Sequence, residues 1–132
     1  MNVQKVVKEL KRKYPGKNIV INTPDNPTEI ICEVDTGKRK SFAVAVVDNI
    51  RPHYHKKLTE TYEITKGILI HHLGKKKRIL KVGESVVILP KNVHWAEGTE
   101  TWFNVYSTPG WRPEDHILVF PSEEISRAEF DK

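Results

Sequence analysis

The stretch with the clearest capacity for chemistry runs from Arg51 to Gly67 and reads RPHYHKKLTETYEITKG. Residues two apart in a β-strand point to the same face, so His53 and His55 would project together. Inside a barrel, such a face borders a shared cavity. Two imidazoles from one strand and the carboxylate of Glu60 from the next can then converge on one cation. His94, which follows the run Ser85 to Leu89, is available as a third imidazole. Imidazole and carboxylate donors suit Fe, Mn, Ni, Zn, Co or Cu, with positions left over for water or substrate.

The same parity argument extends the site. Arg51 shares parity with His53 and His55, so a guanidinium near the cation could grip a carboxylate or phosphate with two prongs. At the start of its strand, it could equally sit in water at the rim. Tyr62 shares parity with Glu60 and lines the same wall, as a substrate contact or as plain core. His71 and His72 are adjacent, so only one of them can face inward. His116 precedes the last strand and reads as a loop or capping residue. The parities of Trp95 and Trp102 are open: either could close the cavity mouth or pack outside it. Trp111, in PGWRP, is a loop aromatic that would pin its segment to the barrel or to a partner subunit.

The elements that must position these residues are mostly short strands. Residues 2–14 form the exception. Val3, Val6, Val7 and Leu10 recur at helical spacing, and Tyr14-Pro15-Gly16 ends the run. Strands are expected over 18–22, 29–34 and 41–48, the last with Phe42, Val44 and Val46 on one face. Further runs cover 51–56, 60–65, 68–73, 79–82, 85–89, 101–107 and 117–120. Gly67, Gly74, Gly83, Pro90 and Pro109-Gly110 punctuate them. Many short strands with frequent turns indicate a sandwich or barrel. The expected organisation is one domain: a helix in 1–16, a β-barrel in 17–120 and an acidic tail in 121–132.

Bulk properties narrow the class. The chain has 132 residues, 30% of them charged and 38% hydrophobic, which suits one soluble domain with a core of its own. No apolar run approaches the roughly 20 residues needed to span a bilayer, and the first residues lack the apolar centre of a secretory signal. A cytoplasmic protein without membrane contact is expected. Cys32 is the only cysteine, so no internal disulfide and no thiolate-rich zinc site can form. It reads as a buried, inert thiol. The net charge of +5 does not signal nucleic acid. Its densest cluster, Lys75-Lys76-Lys77-Arg78, follows Gly74, where a hairpin turn is expected, and no aromatics interleave with it.

The pattern around the candidate ligands resembles the cupin superfamily. The first cupin motif is written G-x5-H-x-H-x3or4-E-x6-G, and the chain matches it from His53 through Gly67, with Val47 in place of the opening glycine. The second is written G-x5-P-x-G-x2-H-x3-N. Gly83 and His94 keep its spacing and Pro90 falls one place late; counting on from Pro90, Asn92 replaces the glycine, and Gly98 replaces the asparagine. Asn92 can serve a turn with positive φ. The resemblance implies an all-β fold, a jelly-roll-like double-stranded β-helix barrel with a short N-terminal helix, often found as a homodimer. It also implies the metal set His53, His55, Glu60 and His94.

Fold does not fix function. The leading expectation is a metal-dependent enzyme, such as an isomerase, acting on a small sugar or sugar phosphate. Isomerisation also needs a base, and the sequence names none. The alternatives are a non-haem iron or copper dioxygenase, and a non-catalytic module that binds a small molecule or a metal.

Overall fold

A computed structural model describes residues 1–119. The helix α1 spans Val3–Lys13. Asn2 caps it, its side-chain oxygen accepting from the amide of Lys5 at 3.2 Å. Lys11, Arg12 and Lys13 occupy the last turn, where the helix dipole favours positive charge. Among the described residues nine strands follow: β1 Asn18–Asn22, β2 Glu29–Asp35, β3 Ser41–Tyr54, β4 Thr59–Lys66, β5 Leu69–Leu73, β6 Lys76–Leu80, β7 Ser85–Ile88, β8 His94–Thr108 and β9 Ile117–Leu118. A short 3-10 turn at Pro113–Asp115 precedes β9.

Two long strands close the barrel. β3 and β8 pair with each other along their length. The second half of β8 pairs with β4, which carries β7 on its far side. The first half of β8 pairs with β5, which carries β6. β1 and β2 extend the other edge of β3. One pair of strands thus serves both layers. Register shifts at Val47/Asn49 and Ile50/His53 break the β3–β8 ladder where the strands pass from one layer to the other. Such irregularities bend a strand and strengthen its twist.

The two faces of this sheet carry separate cores. Inside the barrel, Ile64, Leu69, Leu80, Val86, Ile88 and Phe103 fill one end. Outside it, Val6 and Leu10 of α1 cover Ile30, Cys32, Val44, Val46 and Trp102. Full burial of an aliphatic side chain such as Leu10 contributes about 1.5–3 kcal/mol. The strand face expected for Phe42, Val44 and Val46 is therefore real, and α1 is what it meets. Cys32 lies in this outer core, fully buried as expected.

Several expected boundaries shift. The runs 41–48 and 51–56 are joined in one strand that ends at Tyr54. His94 begins a strand that continues through the run 101–107, where a loop had been expected before that run. The basic cluster is not a loop. Only Gly74 and Lys75 form the turn, and Lys76, Lys77 and Arg78 belong to β6, pairing with Leu73, His72 and His71. Those three residues are exposed, which explains why their charge misleads: a strand with little cover needs no apolar alternation. Trp102 packs under α1 and Trp95 stacks on His72 on the outer surface, so neither closes the cavity. The last expected strand, 117–120, is found at Ile117–Leu118; Phe120 and the acidic tail lie outside the described residues. Among the described residues no helix is long and apolar enough to cross a membrane.

Candidate metal centre

The four expected ligands meet. His53 and His94 are direct partners across β3 and β8, with ring centroids 4.1 Å apart. His55 follows the end of β3, and Glu60 lies near the start of β4. All four are buried, and one ligand atom from each lies within 4.8 Å of those from the others.

The backbone selects the atom each imidazole offers. His53 Nδ1 lies 2.8 Å from the carbonyl of Arg51. His55 Nδ1 lies 2.7 Å from the carbonyl of Asp115, and His94 Nδ1 3.0 Å from that of Asn92. A carbonyl only accepts, so each Nδ1 carries the hydrogen and donates it. That leaves Nε2 with a lone pair, the arrangement usual for a metal-binding histidine.

The Nε2 atoms of His55 and His94 are buried without a hydrogen-bond partner. Glu60 Oε1 nevertheless lies 3.1 Å from the first and 3.4 Å from the second. Lone pairs facing a carboxylate repel unless a positive charge lies between them. A proton is one such charge. Burial opposes it on His55, but Glu60 raises that pKa above its ordinary value. Burial likewise opposes charge on Glu60, yet His55 and His94 hold its carboxyl well below the usual carboxylate range. A divalent cation is the other charge that fits, and it would engage the same atoms. His53 is kept neutral, its pKa pushed down to about 3 by burial, with His94 and His116 adding to the shift. A neutral ring at pH 7 is what a cation requires of its ligand.

The C-terminal segment straps this group in place. Besides its carbonyl on His55, Asp115 accepts with its carboxylate from the amides of Lys56, Lys57 and Leu58, at 2.8 to 3.2 Å. β9 pairs with the end of β3 at His53 and Tyr54. His116 stacks on His53 with centroids 4.3 Å apart, and burial drives its pKa down to about 4. As expected, His116 caps the 3-10 turn before β9, its amide donating to the carbonyl of Pro113 at 3.1 Å; its ring in addition forms part of the wall. Trp111 donates its amide to Ser41 Oγ at 2.9 Å, and its ring lies 6.0 Å from that of His116 at the cavity mouth.

The cavity in front of the cluster has a volume of about 550 Å³. Arg51 and Tyr62 both line it. Tyr62 is buried and donates its hydroxyl to Glu60 Oε1 at 3.3 Å. Arg51 is exposed, because the register shift after Ile50 turns the backbone before His53; it sits at the rim. His71 is the inward member of its pair, fully buried against Tyr62. His72 faces outward, 3.0 Å from Glu97. The positive-φ turn before His94 falls on Lys91, at φ 71°, and not on Asn92. Lys91 donates its amide to the carbonyl of His55 at 2.6 Å, and Asn92 contributes its carbonyl to His94. Sequence reasoning missed Glu29, which lines the cavity from β2. Its signal is weak: a charged residue opening an otherwise apolar run.

The sequence matches no protein-family model and no curated protein. Solved structures do resemble the fold. A Streptomyces Pac13 variant with uridine is 9% identical, with a TM-score of 0.72 over 81% of this chain and 88% of that chain. KdgF from Halomonas sp. is 17% identical, with a TM-score of 0.64 over 74% and 91%. The polyketide cyclase RemF from Streptomyces resistomycificus is 16% identical, with a TM-score of 0.65 over 84% and 85%. An RmlC-like cupin from Shewanella frigidimarina is also similar, at 11% identity and a TM-score of 0.61 over 75% and 88%. The chain is a cupin by fold, a double-stranded β-helix with a short N-terminal helix. Its buried cluster of three histidines and a glutamate is a group that could hold a metal ion.

Proposed function

We propose that the protein is a metal-dependent enzyme acting on a small, sugar-like hydroxycarbonyl compound, with His53, His55, Glu60 and His94 as the protein ligands of one divalent ion. The observation that carries this reading is the convergence of three Nε2 lone pairs and one carboxylate on a point beside a cavity of about 550 Å³. When bound there, the ion supplies a Lewis acid able to stabilise charge on a substrate oxygen. The chain's own residues do the rest. Tyr62 orients Glu60 through its hydroxyl. The carbonyls of Arg51, Asn92 and Asp115 hold the three rings. Phe103 and Trp111 give the cavity apolar walls against which a sugar ring or another flat face can pack.

Cavity charge refines the substrate class. Glu29, Glu33, Asp35 and Glu60 line it against a single guanidinium, that of Arg51. With a divalent ion added, that balance favours an uncharged ligand over a phosphate ester. Arg51 at the rim would contact a ligand's outer end. Pac13, described as a nucleoside dehydratase, has been solved with uridine in a barrel of this fold, which supports a small polar ligand here. The homodimer expected from the cupin resemblance belongs to the same reading. β1, β6 and β7 each pair on one side only among the described residues, and light scattering after gel filtration measures the state.

The reading is tested by elemental analysis of natively purified protein. About one ion per chain is expected in the wild type and well below that in His55→Ala; full retention in the variant removes the site as described. Ketose–aldose interconversion of small sugars is the expected activity. Oxygen consumption with thiols, diketones or catechols would instead make the protein a dioxygenase. Tight ligand binding without turnover would make it a binding module.

A further inference from the structure

Glu29 opens β2, and alternate residues of that strand face opposite cores. Ile30 and Cys32 are buried under α1, whereas Glu29, Ile31 and Glu33 line the cavity that holds the metal cluster. Glu29 stands opposite Val47 of β3 on one side and Asn22 of β1 on the other. Its carboxylate accepts from Asn22 Nδ2 at 2.6 Å, which fixes its direction. It is not a fifth member of the ligand cluster. It is a second carboxyl in the same cavity, coming from a different strand.

We propose that Glu29 is the catalytic base and acid of this cavity, exchanging a proton with the carbon skeleton of a bound hydroxycarbonyl compound. The proposal rests on the enzyme reading above and supplies the proton-transfer group that reading requires. Its carboxylate takes the proton from the hydroxyl-bearing carbon beside the carbonyl. The C–H bond breaks, an O–H bond forms on Glu29, and the released electron pair moves through the carbon–carbon bond to the carbonyl oxygen, giving an enediolate. Glu29 then returns its proton to the neighbouring carbon while the two substrate oxygens exchange one proton. The product is the isomer, with no oxidant or reductant consumed.

The surroundings suit that task. Burial pushes the Glu29 carboxyl up to about 7. The hydrogen bond from Asn22 opposes the shift, Glu60 adds to it, and Arg51 opposes it. A group half-protonated near neutral pH is the most effective acid and base in one. The ionisable groups that share its cavity are Glu60 and Tyr62 on β4, Arg51 and His53 on β3, Glu33 and Asp35 on β2, and His116 of the C-terminal strap. Burial raises the Tyr62 hydroxyl well above its ordinary value and Glu60 adds to this, so Tyr62 stays neutral and does not compete for the role.

The test uses the full chain loaded with its metal, in deuterated water. Dihydroxyacetone, glyceraldehyde and erythrulose are the probes, and proton NMR reads deuterium entering at carbon. Wild type should wash deuterium into at least one probe faster than buffer does. Glu29→Gln, which keeps the shape and the bond from Asn22, should slow this by roughly 100-fold or more at unchanged metal content. Glu29→Asp should recover part of the rate. Equal rates in wild type and Glu29→Gln overturn the proposal and leave the enzyme reading standing. No exchange in metal-loaded wild type with any probe overturns the isomerase reading, and the role of Glu29 with it. A carbon-13 NMR titration of the labelled carboxyl in metal-free protein checks the group without any substrate. A midpoint near 7 is expected, and one near the ordinary 4.5 overturns the proposal.

Discussion

Each ligand imidazole is held by a carbonyl, and Asp115 is the residue where that support is most exposed to a test. Its carbonyl holds His55, and its carboxylate ties three successive amides of the β3–β4 loop. Asp115→Ala keeps the carbonyl but frees the loop and the strap from each other. Groups that orient a ligand typically contribute 10–100-fold to metal affinity. Competition with a chromophoric chelator should show a loss of that order, with full occupancy recovered at saturating metal. Unchanged affinity would mean that β9 pairing alone fixes the strap. Glu29 gives a second prediction at this scale, in metal-free protein. Its folded pKa, about 7, exceeds the ordinary 4.5, so the unfolded chain releases the proton more readily. The stability this group contributes is complete below about 4.5 and is lost as pH rises through about 7. Denaturant midpoints of wild type should fall relative to Glu29→Gln across that window and run parallel to it above. The convergence of His53, His55, Glu60 and His94 was legible because strand parity and spacing are written in the sequence. Glu29 and His116 were not. Glu29 acquires its role only through the register that sets β2 beside β3, and His116 only because residues 109–118 fold back across the mouth.

At the scale of elements, the sheet has two faces with separate duties, and α1 serves the outer one. Leu10 is fully buried among Ile30, Cys32, Val44, Val46 and Trp102, on the side of the sheet away from the ligands. Leu10→Ala should cost about 2–5 kcal/mol, read by urea denaturation, while the folded variant still binds one metal ion per chain. Loss of metal at full folding would show that α1 shapes the inner face through β2 and β3. The helix itself was plain from valine and leucine spacing. Two motif glycines were legible for a physical reason as well: Gly67 and Gly83 adopt φ of 87° and 88°, a region that costs other residues dearly. Lys91 at φ 71° was not foreseen. Counted from Gly83 or His94, the motif's glycine falls on position 91; Pro90 stands one place later than the motif has it, and counting on from Pro90 moves the turn to Asn92. The extent of β3 and β8 was hidden too. Their irregular central pairs interrupt the alternation by which strands are recognised, though the backbone continues.

The whole molecule is a barrel filled at one end by aliphatic and aromatic side chains and carrying four inward polar groups at the other. Burying those groups without full hydrogen bonding costs free energy, and the backbone nevertheless holds them together. A cation that binds the folded chain and not the unfolded one offsets that cost by mass action, by about 2.7 kcal/mol when free metal is 100 times its Kd. In a chain of 132 residues, each kcal/mol moves the melting temperature by roughly 3–5 °C. Stripping the metal with a chelator should therefore lower Tm by roughly 10 °C, and adding back a divalent transition metal should restore it. His94→Ala should melt at the same temperature with and without metal, because the remaining three ligands lose the partner that stands opposite His53 across β3 and β8. Scanning calorimetry on the four samples decides the matter. A wild type whose Tm ignores both chelator and metal would mean that the cluster is held by a shared proton and the core behind it alone.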